Sequence, residues 1–306
     1  MGFELPIIQD EKRSRNQSWS YFVCSNPIIG KNQNDRSVTA GVNGDQLELE
    51  LQGKVIVVTG GARGIGSAIA RACQDEGAIP VVLDREIETE ECRQLVSRKT
   101  KNDVGLITAE LLIPKECSVA INTVIAKFGR IDGVVDNAGH NDKIGLENGS
   151  PDEYVASLNR NLVHYYSVAH YALPHLKLSG GAIVNIGSKV AVSGQGGTSG
   201  YASAKGGIMA LTREWAAELL PYGIRVNTVV PAEVMTPLYK EWLSTFSEPE
   251  EKLKSILSRI PLAKRMTTAQ EIASTVVFLL SAKAGHTTGQ HLFVDGGYVH
   301  LDRILP

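Results

Sequence analysis

Short runs of apolar, largely β-branched residues alternate along the chain with longer stretches of helical periodicity. The runs predict buried parallel strands, because each is short, continuous and bounded by polar or glycine residues. They cover 54–58, 79–83, 104–107, 133–136, 182–186, 224–230 and 291–294. Helices are predicted over 67–76, 86–98, 115–128, 151–178, 201–220 and 269–280. Strands that alternate with helices in this way predict an α/β fold with one doubly wound parallel sheet.

Two segments depart from this alternation. Residues 1–46 are rich in Asn, Gln, Ser, Gly and charged residues, and neither strand nor helix periodicity persists in them. We interpret them as a poorly ordered extension to a single domain over 47–306, with a partner-binding role as the alternative. Residues 232–260 are the least regular part of the domain and polar enough to form a lid over a substrate.

Composition narrows the class of protein. The 306 residues include 31 basic and 33 acidic side chains, a balance that argues against a general nucleic-acid or anionic-membrane binder. No apolar run reaches the ~18 residues of a membrane helix, and no signal-peptide core is recognisable. The four cysteines are scattered without paired spacing, so we expect no disulfide framework, no metal site and a cytoplasmic location.

Ser188, Tyr201 and Lys205 form a first candidate site. Ser188 follows the run 182–186, at the strand end where open α/β sheets bind ligands. Tyr201 and Lys205 share one face of a predicted helix. A nearby ammonium favours a phenolate, and lowering a tyrosine pKa from ~10 to about 7 takes roughly 4 kcal/mol. We therefore expect Lys205 to lower the pKa of Tyr201, which acts as a base on an oxygen held by Ser188.

A glycine-rich loop connects the first strand to the first helix. Strand 54–58 is followed by Thr59-Gly60-Gly61-Ala62-Arg63-Gly64-Ile65-Gly66 and then by helical residues. Gly60 permits a tight turn, Gly64 a close approach of a pyrophosphate, and Gly66 close packing of helix on strand. This context predicts a dinucleotide site of the Rossmann type at the N-terminus of the helix.

Asp84 bears on the choice of dinucleotide. It ends the second strand about 20 residues after the glycine loop, where a carboxylate reaches the adenosine ribose hydroxyls. A carboxylate repels a 2′-phosphate, so NAD is favoured over NADP. Arg63 and Arg85 stand nearby and weaken that preference, which leaves NADP possible.

With these motifs assembled, the chain resembles the short-chain dehydrogenase/reductase family over roughly 47–300. The resemblance is carried by the glycine motif 59–66, by Asn137-Ala138-Gly139, by Asn161 in a long helix, by Ser188, and by the pair Tyr201 and Lys205. Several motifs in the family's order make a stronger signal than any one alone. Four positions depart from the family pattern: Asp136, Gly187, Glu110 and Ala232 stand where asparagine, serine, aspartate and glycine are common.

The resemblance implies roles for residues that spacing alone does not assign. Asn161, Ser188, Tyr201 and Lys205 would be catalytic, with Lys205 also holding the nicotinamide ribose and Asn161 positioning a water. The implied cofactor-binding set is Gly60, Arg63, Gly64, Ile65, Gly66, Asp84, Glu110, Leu111, Asn137, Ala138, Gly139, Tyr201, Lys205, Pro231, Val234 and Thr236. Members of the family are commonly homotetramers, and helices 151–178 and 201–220 are the expected contact faces.

A narrower resemblance, to bacterial L-fucose dehydrogenases of this family, is carried by stretches 137–147, 156–171, 193–201, 229–242 and 286–303. It implies oxidation of a sugar hydroxyl at C1 to a lactone, with Tyr201 taking the proton. A sugar pocket needs groups that satisfy several hydroxyls. The predicted substrate-binding residues are Asn141, Asp142, Ser188, Lys189, Gln195, Tyr201 and Glu233.

Three alternatives stay open on the sequence alone. The same machinery could act on another aldose, a polyol or a 3-oxoacyl thioester. The chain could be a catalytically silent NAD-binding scaffold, against which the complete catalytic set argues. Finally, residues 1–46 could be a tether that carries the enzyme as cargo.

Overall fold

The computed structural model describes residues 48–98 and 103–302. In that part of the chain, seven parallel strands form one sheet in the order β3-β2-β1-β4-β5-β6-β7. The strands are β1 (Val55–Thr59), β2 (Ile79–Asp84), β3 (Gly105–Thr108), β4 (Gly133–Asp136), β5 (Ala182–Ile186), β6 (Arg225–Pro231) and β7 (His291–Val294). The strand order reverses between β1 and β4, so the doubly wound sheet predicted from the alternation is confirmed. The predicted extension 1–46 lies outside the described residues, and the domain boundary stays a prediction.

The helices are α1 (Gly64–Asp75), α2 (Glu90–Ser97), α3 (Pro114–Phe128), α4 (Pro151–Leu158), α5 (His164–Ser179), α6 (Ser199–Glu218), α7 (Pro237–Leu243), α8 (Pro249–Leu257) and α9 (Ala269–Leu280). The single helix predicted over 151–178 is interrupted, because residues Asn159–Val163 form a π-helical turn between α4 and α5. The segment 232–260 is more regular than expected and contains α7 and α8. None of the helices in the described residues is long and apolar enough to cross a membrane.

Helices cover both faces of the sheet. Alternation along the strands sends Val57 and Val134 to one face, where they pack in a cluster with apolar residues of α3, α5 and α6. Val58 and Val135 point to the opposite face and pack against α1 and α9. Because the central strands are buried on both sides, their residues are continuously apolar, which is why these runs were recognisable in the sequence.

The register of the central strands aligns the residues that follow them. Val58 pairs with Val135 across β1 and β4, and Asp136 pairs with Asn185 across β4 and β5. The glycine loop after β1, the segment after β4 and the segment after β5 therefore leave the sheet at the same edge. Parallel strands place these carboxyl ends together, and this edge is where a ligand site is expected.

The glycine loop turns tightly beside the end of β4. Gly60 adopts a φ of +62°, a left-handed conformation that favours glycine. A Cβ built on Gly66 would lie 2.6 Å from Asn137 Nδ2 and still closer to the carbonyl oxygen of Gly60. The absence of a side chain at Gly66 therefore lets α1 begin directly against the loop, as the sequence predicted.

We expect Gly66→Ala to destabilise the protein by about 1–3 kcal/mol, because the new Cβ forces the backbone of the loop to move. Gly206→Ala is the matched control. Gly206 lies inside α6, and a Cβ there meets no atom within 4 Å, so alanine should stabilise the helix by about 0.5–1 kcal/mol. Denaturant unfolding measures both. A Gly66→Ala variant as stable as the natural protein would contradict the packing described.

Candidate active site

Ser188 and Tyr201 come together at the carboxyl edge of the sheet. Ser188 follows β5 and caps the short 3₁₀ turn Lys189–Ala191, whose Val190 N–H donates weakly to its hydroxyl at 3.4 Å. Tyr201 lies in the first turns of α6, which starts after the loop that leaves this turn. The hydroxyl groups of Ser188 and Tyr201 are hydrogen-bonded to each other. The predicted pair of oxygens is thus formed by two neighbouring elements.

Lys205 is buried one turn further along α6, with only 2% of its surface exposed. Its ammonium Nζ donates to the Tyr165 hydroxyl at 3.0 Å and to the Ile186 carbonyl at 2.8 Å. It also lies 5.6 Å from the centre of the Tyr201 ring. Burial lowers the pKa of Lys205 to about 7, because the protein interior disfavours its charged form.

The pKa of Tyr201 differs from the expectation drawn from the sequence. Burial of its hydroxyl raises this pKa to about 12, and the hydrogen bond from Ser188 only partly opposes that effect. Lys205 does not bring it down here, because its donors are directed to Tyr165 and Ile186. The prediction that Lys205 lowers the pKa of Tyr201 is therefore wrong for the protein without ligands. In this state Tyr201 is a phenol.

Asn161 lies in the π-helical turn and is fully buried. Its Oδ1 accepts the His140 backbone N–H at 2.8 Å, and its Nδ2 donates to the Ser157 carbonyl at 3.1 Å. A Cβ on Gly139 would lie 2.8 Å from the same Oδ1. The π turn, a feature frequent at functional sites, thus aims Asn161 at the backbone that follows β4.

The residues for a dinucleotide form a continuous cradle. Asn137 Nδ2 donates to the carbonyls of Thr59 and Gly60 at 3.0 and 3.1 Å, which ties the segment after β4 to the glycine loop. Gly64 adopts a φ of +58° at the first turn of α1, and the methyl group of Thr236 borders it. An open helix N-terminus behind a glycine turn fits a pyrophosphate. The cradle therefore fits the cofactor that the sequence predicted.

Asp84 lies at the end of β2, beside this cradle. Its Oδ2 accepts the Ala62 N–H at 3.1 Å, which holds the carboxylate against the glycine loop. Arg63 forms an ion pair with Glu86 at 2.9 Å, and both side chains are more than half exposed. Arg85 is exposed as well. The carboxylate thus has a fixed position, while one of the two arginines that could attract a 2′-phosphate already has an acidic partner.

The remaining predicted cofactor residues flank the same edge. The Glu110 N–H donates to the Glu116 carboxylate at 2.7 Å, and Glu110 itself accepts the Leu112 N–H. Leu111, Pro231 and Val234 are buried, and Ile65 packs partly buried against the core on the α1 face. Thr236 caps α7 by accepting the Tyr239 N–H at 3.2 Å. Ala138 N–H donates to the Thr59 hydroxyl at 3.2 Å.

Among the predicted substrate-binding residues, Lys189 and Glu233 contact each other. Their side chains form an ion pair and are about nine-tenths buried. The Tyr239 hydroxyl donates to the second oxygen of Glu233 at 2.8 Å, and Lys189 Nζ lies 4.2 Å from the centre of the Tyr298 ring. A polar cluster, Lys189, Glu233, Tyr239 and Tyr298, therefore links the residue after Ser188 with α7 and the segment after β7.

The other predicted substrate-binding residues, Asp142, Asn141 and Gln195, lie outside this polar cluster. Asp142 accepts from Ser157 at 2.9 Å and forms an ion pair with Arg160 at 2.5 Å, so both carboxylate oxygens brace the loop against α4 and the π turn. Asn141 Oδ1 accepts the Lys143 N–H at 3.0 Å. Gln195 is exposed and lines a shallow depression formed by the loop 190–199.

The sequence analysis missed three tyrosines of the site: Tyr165, Tyr239 and Tyr298. Tyr165 is fully buried, and its hydroxyl accepts from Lys205 while donating to the Ile186 carbonyl at 3.1 Å. Its 40-residue separation from Lys205 leaves no local signal. A tyrosine inside an otherwise apolar helix face, whose hydroxyl needs a partner when buried, is the signal that could have found it.

These side chains bring a serine, a tyrosine and a buried lysine together beside the predicted dinucleotide cradle. A model of the family described as enoyl-(acyl carrier protein) reductase matches residues 60–299. The chain belongs to the short-chain dehydrogenase/reductase family. Members of this family are oxidoreductases that act on small molecules and use NAD or NADP.

The similar proteins include L-fucose dehydrogenases and a 3-oxoacyl-(acyl-carrier-protein) reductase. The chain is similar to L-fucose dehydrogenase of Rattus norvegicus, with 36% identity over 246 residues, which cover 80% of this chain and 89% of that protein. L-fucose dehydrogenases from cattle, rabbit and mouse are 35% identical. The L-fucose enzymes found are thus mammalian, whereas the resemblance predicted was to bacterial ones. The 3-oxoacyl-(acyl-carrier-protein) reductase of Thermotoga maritima is 34% identical over 254 residues, 82% of this chain and 100% of that protein.

Solved structures agree on the fold. Cj0485 dehydrogenase is 44% identical with a TM-score of 0.81, over 85% of this chain and 99% of that one. The aldohexose dehydrogenase of Thermoplasma acidophilum is 30% identical with a TM-score of 0.75, over 84% and 98%. L-sorbose reductase of Gluconobacter frateurii, solved with NADPH and L-sorbose, is 26% identical with a TM-score of 0.79, over 84% and 100%.

We expect Tyr201→Phe to lower kcat by roughly 10²–10⁴, because it removes the one phenol that Ser188 contacts. NAD binding, measured by calorimetry, should persist. Tyr222→Phe is the matched control, since Tyr222 is exposed on the 3₁₀ turn after α6, and its activity should be unchanged. Substantial turnover by the Tyr201→Phe protein would remove Tyr201 from its catalytic role.

Proposed function

We propose that this protein is an NAD-dependent dehydrogenase that oxidises the C1 hydroxyl of a sugar, with L-fucose as the foremost substrate. The observation that carries the proposal is the polar cluster of Lys189, Glu233, Tyr239 and Tyr298 beside the serine–tyrosine–lysine group. A buried ion pair next to the reacting position suits a substrate with several hydroxyl groups. The L-fucose and aldohexose dehydrogenases among the similar proteins support the same class.

Each catalytic side chain has one task in this proposal. Ser188 donates to the sugar oxygen at C1 and holds it against Tyr201. Tyr201 removes the hydroxyl proton, and the carbon–oxygen bond becomes the carbonyl of a lactone. Lys205 places a positive charge beside Tyr201 when the phenol ionises, which offsets the cost of a phenolate in a dry site. Asn161 keeps the backbone after β4 in place through the His140 N–H.

The cofactor would lie along the cradle. Gly60, Gly64 and Gly66 would face the pyrophosphate, Asp84 the adenosine ribose, and Gly139 the nicotinamide end. When bound, NAD supplies the acceptor for the hydride that leaves C1. Lys205 keeps donors directed at Tyr165 and Ile186, which fixes its nitrogen within α6 for a ribose contact.

The cluster gives a reason to favour a sugar over an acyl chain. Glu233 accepts from Lys189 and Tyr239 and still has lone pairs for further donors, such as sugar hydroxyls. An alkyl chain at this position would bury the remaining donors and lone pairs of the charged pair without partners, which costs free energy. Discrimination by hydroxyl groups is also the stronger kind, because a polar site rejects analogues that lack them.

The test is reduction of NAD, and separately of NADP, followed at 340 nm against L-fucose, D-arabinose, L-galactose, other aldoses, polyols and a hydroxysteroid. We expect activity with NAD on L-fucose and its configurational relatives. Glu233→Gln should raise KM for the sugar, while Glu241→Gln, an exposed change on the neighbouring helix α7, should not. Activity on non-sugars alone would cancel the substrate assignment, and reduction of a 3-oxoacyl thioester would favour the acyl alternative.

NAD binding without turnover of any alcohol would show that the protein is a catalytically silent NAD-binding scaffold instead of an enzyme. Deletion of residues 1–46 tests the third alternative, that these residues are a tether that carries the enzyme as cargo. Removal of a tether should leave turnover unchanged. We expect the truncated protein to retain its kcat.

Asp84→Asn should shift the ratio of kcat/KM values toward NADP by about tenfold or more, since removal of a fixed negative charge relieves repulsion of the 2′-phosphate. Glu88→Gln is the control, because Glu88 is exposed on the segment that follows β2. Both variants are assayed with the two dinucleotides at the same sugar concentration. An unchanged ratio in Asp84→Asn would contradict the proposed contact with the ribose.

We also propose that the protein is a homotetramer, with contacts through the outer faces of α4, α5 and α6. Val155 of α4, Val163 of the π turn and Tyr166 of α5 are large apolar side chains that stay 42–55% exposed. Light scattering of the full chain would give about four times the 33.0 kDa chain mass. A monomeric mass would contradict this assignment.

A further inference from the structure

Asp136, the last residue of β4, is a buried carboxyl group for which the mechanism above has no use. It is fully buried, and among the described residues no donor lies within hydrogen-bond distance of either carboxyl oxygen. Buried carboxyl groups are ordinarily hydrogen-bonded or paired. The sequence analysis noted this position because asparagine is common there in the family. An ionisable carboxyl group at this position therefore affects the ionisation of the groups around it.

Alternation along β4 gives the direction of the Asp136 side chain. Val134, two residues earlier, packs in the cluster that contains Tyr165, so Asp136 points to the same face. The adjoining strands present Thr59 and Asn185 to this face, and both are uncharged. The titratable groups that interact with Asp136 from the helices are Cys117 of α3, Tyr165 of α5 and Lys205 of α6.

Lys205 is the one cation in this group. Its Nζ is 3.0 Å from the Tyr165 hydroxyl and 2.8 Å from the carbonyl oxygen of Ile186, which directly follows Asn185, the β5 register partner of Asp136. Tyr201 and His164 are the titratable groups that face Lys205 from the side of the substrate site and from α5. In the described residues Lys205 forms no ion pair, and Asp136 is the acidic group that favours its charged form.

We propose that Asp136 is a positioning residue that sets the charge state of Lys205, and through Lys205 the ionisation of Tyr201. This inference rests on the proposed function, because the ionisation of Tyr201 matters only if Tyr201 is the base. Asp136 has no hydrogen-bond partner among the described residues, so its effect is carried by charge. Asp136 distinguishes this chain from family members that have a neutral asparagine at the same position.

The directions of the individual pKa values agree with this coupling. Burial raises the pKa of Asp136 well above its usual range, and the Lys205 charge opposes that rise. Burial lowers the pKa of Lys205 to about 7, and Asp136 opposes that fall. The ionised form of Asp136 favours the ammonium form of Lys205, and an asparagine in its place removes that support. Lys205 without Asp136 would therefore be neutral at a lower pH.

Kinetics of Asp136→Asn test the consequence for catalysis. On the best substrate of the panel, the ascending limb of kcat against pH reports the first proton lost by the coupled pair of Tyr201 and Lys205, and it should move toward acid by about one unit or more. The plateau of kcat should fall about tenfold, because more of the protein then has a neutral Lys205 beside a Tyr201 that is still a phenol. KM should not change, because Asp136 is fully buried and makes no hydrogen bond to any predicted substrate-binding residue among the described residues. Asparagine has the same shape and is common at this position, so the variant should fold. A profile that superimposes on that of the natural protein would overturn the proposal.

Asp132→Asn is the matched control. Asp132 is a buried carboxylate just before the other end of β4, where it pairs with Arg130 and accepts the Val55 N–H. This change should lower stability and leave the pH profile in place. If both variants move the limb equally, the shift reflects the loss of any buried carboxylate and the coupling to Lys205 is refuted.

Infrared spectroscopy of the protein without ligands tests the coupling independently of turnover. The carbonyl stretch of a protonated carboxyl group that Asp136→Asn removes reports the titration of Asp136. Lys205→Met should shift this titration to higher pH by about one unit or more, since the cation that favours the carboxylate is lost. Titration at the same pH in both proteins would overturn the proposal even if the panel reveals no substrate.

Discussion

The two hydrogen bonds of the buried Lys205 ammonium, to the Tyr165 hydroxyl and the Ile186 carbonyl, hold the site together. They join α6, α5 and the end of β5 at one point on the carboxyl edge of the sheet. A buried ammonium requires such partners, because an unpaired one would deprotonate or destabilise the fold. The positions of Ser188 and Tyr201 depend on this junction, since Ser188 follows the same strand and Tyr201 precedes Lys205 by one turn of the same helix.

Burial of this junction also shifts the pKa values of Tyr201 and Lys205. Burial pushes the pKa of Tyr201 up to about 12 and that of Lys205 down to about 7, so each neutral form is favoured without ligands. Fixed charges around the pair then decide how readily Tyr201 can act as a base. Asp142 raises the pKa of Tyr201, and Asp136 favours the charged form of Lys205.

Much of this architecture was predictable from the sequence, for physical reasons. Strands buried on both faces read as continuous apolar runs, and the glycine loop has a conformation that few other residues adopt. The π turn around Asn161 was not predictable, because it is a change in hydrogen-bond spacing within one helical pattern. Contacts between distant residues were also missed: Lys189 and Glu233 are 44 residues apart, and only the fold brings them together. The predicted pKa of Tyr201 failed because spacing does not report burial.

The pKa of Tyr201 is the most direct test of the view that burial governs the site before ligands bind. It can be followed by the ultraviolet absorbance of tyrosinate during a pH titration, as the difference between the natural protein and Tyr201→Phe. The difference isolates one of the nine tyrosines in the chain. We predict that no tyrosinate signal belonging to Tyr201 develops below about pH 10 in the protein without ligands. A Tyr201 phenolate that forms near neutral pH in that state would contradict the account.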